Sequence, residues 1–240
     1  MAKPLAVVVG ASQGLGASLV WSFARAGYAV LAASRNVERL KTMQGDVHRT
    51  LPGSEVHVFR LDVTADARAS QAMCGFVRDL GFTFVDVLVL NQGINHDACL
   101  AEWTNTSQFE ECVHTNFIGS VRVLHSALPL LVENPRGARV VVVVSRAGVL
   151  QTVPGGAAYA ASKAALDSFF SSVAPELRAL GVKTLIVEPG SFEANDFAPR
   201  QVLAASGRYR KVTSRPLFLY TFIKSGASRT HARLRTKIII

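Results

Sequence analysis

Six short apolar runs constrain the fold of this chain more than any other feature. They are LAVVV at 5–9, YAVLAAS at 28–34, VHVFRL at 56–61, DVLVL at 86–90, RVVVVV at 139–144 and KTLIVE at 183–188. Each is continuous and rich in Val, Ile or Leu, the pattern of strands covered on both faces of a parallel sheet. Longer segments of helical character lie between them, at 15–26, 66–80, 107–133 and 157–180. Strand alternating with helix means βαβ units with right-handed crossovers. The expectation is an α/β chain built on a single doubly wound parallel sheet with helices on both faces. At 240 residues that is one domain.

The first run ends in VVVGASQGLGASLV. Gly10, Gly14 and Gly16 stand in a G-x-x-x-G-x-G spacing, with Ser12, Gln13 and Leu15 between them, and helix-forming sequence follows. Glycine permits the tight turn and lets backbone N–H groups approach a pyrophosphate. The helix N-terminus adds about half a positive charge there. Strand-to-helix turns use glycine for other reasons too, so the position after the first strand carries the argument. About 20 residues on, dinucleotide folds place an acid that binds a ribose 2′-OH, or an Arg that accommodates a 2′-phosphate. Here the second run ends in Ser34 and Arg35 with no acid, which favours NADP(H) over NAD(H). A surface Arg opening a helix would read the same way.

Charge is unevenly placed. Residues 1–200 hold 17 Lys and Arg against 17 Asp and Glu, while 201–240 hold nine Lys and Arg and no acid. The neutral body gives no reason to expect a nucleic-acid partner. Cys74, Cys99 and Cys112 are odd in number and lack metal-type spacing, which reads as free thiols in a reducing, cytoplasmic setting with no metal site. The opening MAKPLAVVVG is too short an apolar run for a leader, and no stretch approaches the ~20 apolar residues of a membrane span.

In AAYAASKAAL, at 157–166, Tyr159 and Lys163 sit four apart in an alanine-rich helix, so they share a face. A Tyr packed over a Lys stem on a surface helix would show the same spacing. The chemical reading is a general acid. An ammonium about 4 Å from a phenol, at an effective dielectric of ~20, favours the phenolate by up to ~4 kcal/mol, or ~3 pKa units. That would bring Tyr159 toward neutrality, where acid–base catalysis works best. Ser145, at the end of the fifth run, could hydrogen-bond a substrate oxygen.

Taken in order, the motifs resemble the short-chain dehydrogenase/reductase family from residue 5 to about 197. The glycine loop has that family's spacing. LDV at 61–63 looks like its adenine-contacting pair, Asp62 and Val63; LNQG at 90–93 is similar to NNAG, keeping Asn91 and Gly93. HTNFIGS at 114–120 resembles the helix carrying the catalytic Asn, here Asn116. VVVVSRAG at 141–148 resembles the strand carrying the catalytic Ser, here Ser145. Tyr159 and Lys163 match YxxxK, and VEPGSF at 187–192 resembles the Pro-Gly motif, with Pro189 and Gly190. The resemblance implies a Rossmann-type fold and hydride transfer between a nicotinamide and a small carbonyl or alcohol. Lys163 would also hold the nicotinamide ribose, and Asn116 a water that relays protons to Lys163. It also implies a homodimer through the 107–133 and 157–180 helices.

There are departures. Leu90 and Gln92 replace Asn and Ala of NNAG. After Pro-Gly the family often has a nicotinamide-contacting Thr; here Ala194 is near that place, so Ser191 or Asn195 would substitute. His96 and Asp97 read as a solvated loop beside the cleft, His114 and His125 as packing or surface, and Cys112 as core. Trp103 caps the pocket or packs below a loop. Residues 201–240 form an atypical basic segment, a lid or a poorly ordered tail, appended to a catalytic domain at 1–200. Beyond 207 the segment is expected to be largely mobile, with LFLYTFI and the closing III attached at most, although nothing in the sequence pairs TKIII. Two other functions stay open: a chain that binds cofactor but is catalytically impaired, and a binding module whose tail meets an acidic membrane or nucleic acid.

Overall fold

A computed structural model describes residues 3–96, 106–146, 156–190 and the backbone of 235–238. All six apolar runs are strands: β1 Leu5–Val9, β2 Ala29–Ser34, β3 Glu55–Arg60, β4 Val87–Leu90, β5 Ala138–Val143 and β6 Val182–Glu188. They form a parallel sheet in the order β3-β2-β1-β4-β5-β6. The helices are α1 Gly14–Arg25, α2 Val37–Thr50, α3 Ala67–Asp79, α4 Thr106–Cys112, α5 Gly119–Val132 and α6 Ala157–Ala179. A π-helical stretch, Val113–Ile118, joins α4 to α5 without a break. Strand order reverses between β1 and β4, and a doubly wound sheet opens a ligand crevice at the carboxyl ends of such strands.

The continuous apolar runs follow from having two cores. Leu5, Val7 and Val9 of β1 join one, with residues of α3, α5 and α6; Ala6 and Val8 join the other, with residues of α1 and α2. Neither face of the strand meets water, so alternation with polar residues has no place. Each fully buried Val or Leu contributes about 1.5–3 kcal/mol.

Helix starts show which ends the chain seals itself. Asn36 caps α2 by accepting from the Arg39 N–H at 3.0 Å, and Asp66 caps α3 by accepting from the Arg68 N–H at 3.0 Å. The first turn of α1 has neither a side-chain cap nor an acid. The run pattern of the sequence names no helix over 37–50; the Asn36 cap is the signal that would have found it.

A seventh strand, β7 Arg235–Ile238, pairs antiparallel with β6 and places Ile238 beside Leu185 and Arg235 beside Glu188. This supplies the partner that the sequence lacked for TKIII. The outer edge of β6 offers unpaired N–H and C=O groups, and such an edge takes up any compatible extended segment. LFLYTFI and the remainder of 201–234 lie outside the described residues.

Asp86, just before β4, clamps the amino ends of the strands. It is 7% exposed. Its carboxylate accepts from the Leu5 N–H at 2.8 Å, Asn134 Nδ2 at 3.0 Å and Arg136 Nη2 at 2.9 Å. The Arg136 side chain is 44% exposed, so that pair adds little. The other two donors are buried, and losing their acceptor should cost about 2–4 kcal/mol in Asp86→Ala. Chemical denaturation checks this; a loss below about 1 kcal/mol would show that the clamp is not structural.

Candidate active site

Apart from Ser191 and Asn195, offered in place of the nicotinamide-contacting Thr, the predicted catalytic and cofactor-binding residues lie among the described residues, and the carboxyl ends of the strands bring them together. Gly10 follows β1 with φ +80°, and a Cβ there would stand 2.5 Å from the Gln92 nitrogen. A Cβ on Gly16 would run into the Gly10 carbonyl oxygen. Both positions therefore need glycine, one for its dihedral and one for its close approach. Asn91, after β4, donates from Nδ2 to the Gly10 carbonyl at 2.9 Å and fixes the loop from behind. Ser12, Gln13, Gly14 and Leu15 lead into the uncapped start of α1, whose N–H groups suit an anion.

The next two strands extend this arm. The Ser34 hydroxyl is engaged with the backbone of Asn36, leaving exposed Arg35 at the strand end. Arg39 Nη1 donates to Gln13 Oε1, which ties the start of α2 to the glycine loop. Asp62 accepts from the Thr64 hydroxyl at 2.7 Å and the Thr64 N–H at 2.9 Å. The hydroxyl chiefly holds its carboxyl below the ordinary range, against the opposing effect of burial, while the charges of Arg35 and Arg60 assist. Val63 is buried beside it. These positions fit a dinucleotide: glycines where backbone must come close, an uncapped helix start, and a basic end. The sequence singled out Arg35 but missed Arg39 and Arg60, which come to this end only through the fold.

At the other side, Ser145 and Tyr159 are hydrogen-bonded through their side chains. Lys163 is 2% exposed, lies with Nζ 5.9 Å from the Tyr159 ring centroid, and donates to the Val143 carbonyl at 2.9 Å. Pro189 takes a hydrogen bond from the Arg146 N–H at 3.3 Å, and Gly190 follows it. The expectation that the Lys163 ammonium brings Tyr159 toward neutrality does not hold here. Burial raises the phenol above its ordinary value, and the opposing influence is the Ser145 hydrogen bond. Desolvation of the phenolate outweighs that hydrogen bond, and the Lys163 ammonium is turned to the Val143 carbonyl. Burial also lowers Lys163 itself, from 10.5 to about 8.

Asn116 sits in the π-helical stretch and is fully buried. Its Oδ1 accepts from the Ile94 N–H at 2.8 Å, and its Nδ2 donates to the Ile94 carbonyl at 3.0 Å and to Ser162 Oγ at 2.9 Å. It is therefore a strut between the loop after β4 and α6, with both amide protons used. Gly93 lets the groups close up: a Cβ there would lie 3.4 Å from both Asn116 Oδ1 and Lys163 Nζ. The unusual Gln92 is buried and donates to Ser120 Oγ at 2.7 Å; Ser120 in turn donates to the Asn116 carbonyl at 2.8 Å.

The remaining candidates separate clearly. His96 is not simply solvated, since its Nε2 is 2.9 Å from Glu111 Oε2. His114 and His125 are exposed. Cys112 is fully buried, as expected of core, and burial raises its thiol, yet it also borders Tyr159. Asp97, Trp103, Ser191, Ala194 and Asn195 lie outside the described residues. No described helix is long and apolar enough to cross a membrane.

Comparison with known proteins bears on this geometry. A profile of the family described as short chain dehydrogenase matches residues 4–201. The sulfoacetaldehyde reductase of Chromohalobacter salexigens is 32% identical over 186 residues, covering 78% of this chain and 71% of that protein. The serine 3-dehydrogenase of Rhizobium radiobacter is 29% identical over 189 residues, with the same two coverages of 78% and 71%. An alcohol dehydrogenase from the archaeon Thermococcus sibiricus, solved with 5-hydroxy-NADP, superposes with a TM-score of 0.72 at 27% identity. That match covers 79% of this chain and 77% of the other. An NAD+-bound xylitol dehydrogenase also gives 0.72, at 25% identity, covering 78% of this chain and 70% of that one.

The buried ammonium has a consequence for stability. Between about pH 8 and 10.5 the unfolded chain keeps a proton on Lys163 that the folded chain has released. Stability contributed by this group therefore rises with pH across that window. Below it both states are protonated, and the folded state carries a desolvation cost on the order of 3 kcal/mol. Lys163→Met should be more stable than the parent at pH 7, with the advantage shrinking toward pH 10. Urea unfolding across that range checks it, and a parent–variant difference that ignores pH would refute the assignment.

Proposed function

The chain belongs to the short-chain dehydrogenase/reductase family, and from that premise we propose that it is an NADP(H)-dependent carbonyl reductase with Tyr159 as general acid. The observation that carries this reading is the Ser145–Tyr159 hydrogen bond beside the buried Lys163. When bound, the reduced nicotinamide supplies a hydride to the carbonyl carbon. Tyr159, kept protonated by burial, gives its proton to the carbonyl oxygen. The Ser145 hydroxyl donates to the same oxygen and steadies the charge that develops on it. Lys163 and the Asn116 strut keep the phenol in place, and Lys163 would also hold the cofactor ribose.

Three guanidiniums support NADP(H). Arg35 is exposed at the end of β2, Arg39 reaches the glycine loop, and Arg60 ends β3. No acid stands at the end of β2 to accept from a ribose 2′-OH. Relatives differ in the substrates for which they are named, so the carbonyl compound is not taken from them. Assembly into a dimer through the α4–α5 and α6 faces belongs to the same proposal.

Tyr159→Phe should lower carbonyl reduction by about 10²–10⁴-fold while NADPH binding stays close to that of the parent. Retention of more than about a tenth of the rate would mean that another group delivers the proton. Loss of turnover in the parent itself, with NADPH still bound, would favour the impaired-chain reading. Separately, Arg35→Asp should reduce the ratio of kcat/KM for NADPH over NADH by about tenfold or more, the worth of one charge-assisted hydrogen bond. An unchanged ratio would remove Arg35 from cofactor choice.

A further inference from the structure

We propose, resting on the reading above, that Arg146 binds an anionic group of the substrate, so that the carbonyl compound carries a carboxylate close to its reacting carbon. The backbone pins this residue in place. The ladder between β5 and β6 continues past both strands, with the Val144 N–H donating to Val187 at 2.9 Å and the Arg146 N–H to Pro189 at 3.3 Å. The side chain lies over Gly190, its Cδ 3.7 Å and its Nη1 4.0 Å from the place a Cβ would take there. Nε is buried and has no hydrogen-bond partner. Among the described residues no carboxylate pairs with the guanidinium; Glu188, buried two residues before Gly190, forms no ion pair with it.

A guanidinium does not deprotonate in a protein, so an orphaned, buried Nε–H cannot be relieved by losing charge. An arginine serving only as surface would leave its fork in water. Here Nε is buried beside Gly190, one residue along the chain from Ser145, which with Tyr159 is assigned to the reacting oxygen. The fork of Arg matches a carboxylate in two parallel hydrogen bonds. Ser145 and Arg146 are consecutive, with Cα atoms about 3.8 Å apart, so a short substrate suffices to reach both. Gly190 has no side chain to stand between the guanidinium and that group.

The test compares 4-oxobutanoate with its neutral methyl ester as substrates of the full chain with NADPH. The parent should favour the acid in kcat/KM by about tenfold or more, chiefly through KM, and Arg146→Gln should remove most of that ratio. Arg146→Lys should keep the direction of the preference and part of its size, since lysine retains the charge without the fork. No preference in the parent, or a preference untouched by Arg146→Gln, overturns the proposal. So does an equal loss for both substrates together with weaker NADPH binding, which would put the guanidinium on the cofactor. If neither aldehyde is reduced, the catalytic reading fails, and calorimetry decides this one. Butanoate should then bind the NADPH-saturated chain more tightly than butanamide, and lose that margin in Arg146→Gln. Equal binding of the two overturns the proposal.

Discussion

A sheet covered on both faces has only its strand ends left for polar chemistry. Gly10 follows β1, Arg35 follows β2, Asp62 follows β3, Asn91 follows β4, Ser145 follows β5 and Pro189 follows β6. All six are on the carboxyl side, because parallel strands end together. The opposite side has a different task. There Asp86 gathers the Leu5 N–H, Asn134 and Arg136 and holds the amino ends of β1 and β4 in step. One end of the sheet is thus satisfied internally, and the other displays donors for a ligand.

Burial organises the displayed end and also works against it. Lys163 is deep enough that its charge becomes costly, and Tyr159 is shifted away from ionisation by the same desolvation. Satisfied hydrogen bonds offset this cost around them. Asn116 uses Oδ1 and both amide protons, Ser162 Oγ accepts one of these and donates to the Tyr159 carbonyl at 2.7 Å, and Lys163 holds the Val143 carbonyl. Such a network resists rearrangement, since breaking one bond leaves a buried group unpaired.

The strands, and the candidate residues that the fold brings to their carboxyl ends, were legible because they depend on local pattern: apolar runs, glycine spacing, a Tyr and a Lys four apart. What was not legible depends on direction and distance between remote segments. That burial of Tyr159 raises the phenol, and that Lys163 turns to the Val143 carbonyl, cannot be read from an i, i+4 spacing. Arg60 joins the basic end because β2 and β3 pair in register, and Arg39 because its side chain reaches Gln13 from α2. The closing TKIII found a partner because an edge strand accepts many sequences, a property of β6 rather than of the tail. Helix α2 is a different case: Asn36 was a local signal, and its run of polar residues hid the period.

Gln92 shows how one departure from a family pattern can be absorbed. Its place in the turn after β4 is beside the glycine loop, with its backbone against Gly10. The amide reaches Ser120, whose hydroxyl holds the Asn116 carbonyl within the π-helical stretch. A π-helical turn releases carbonyls from the regular ladder, and a side-chain donor that captures one fixes the irregular turn. Gln92 Oε1 remains buried without a hydrogen-bond partner, so the strut is strong on one side only. Gln92, Ser120 and Asn116 thus brace one another among buried residues. On the proposal made above, discrimination between substrates falls to side chains such as Arg146, just past the end of β5.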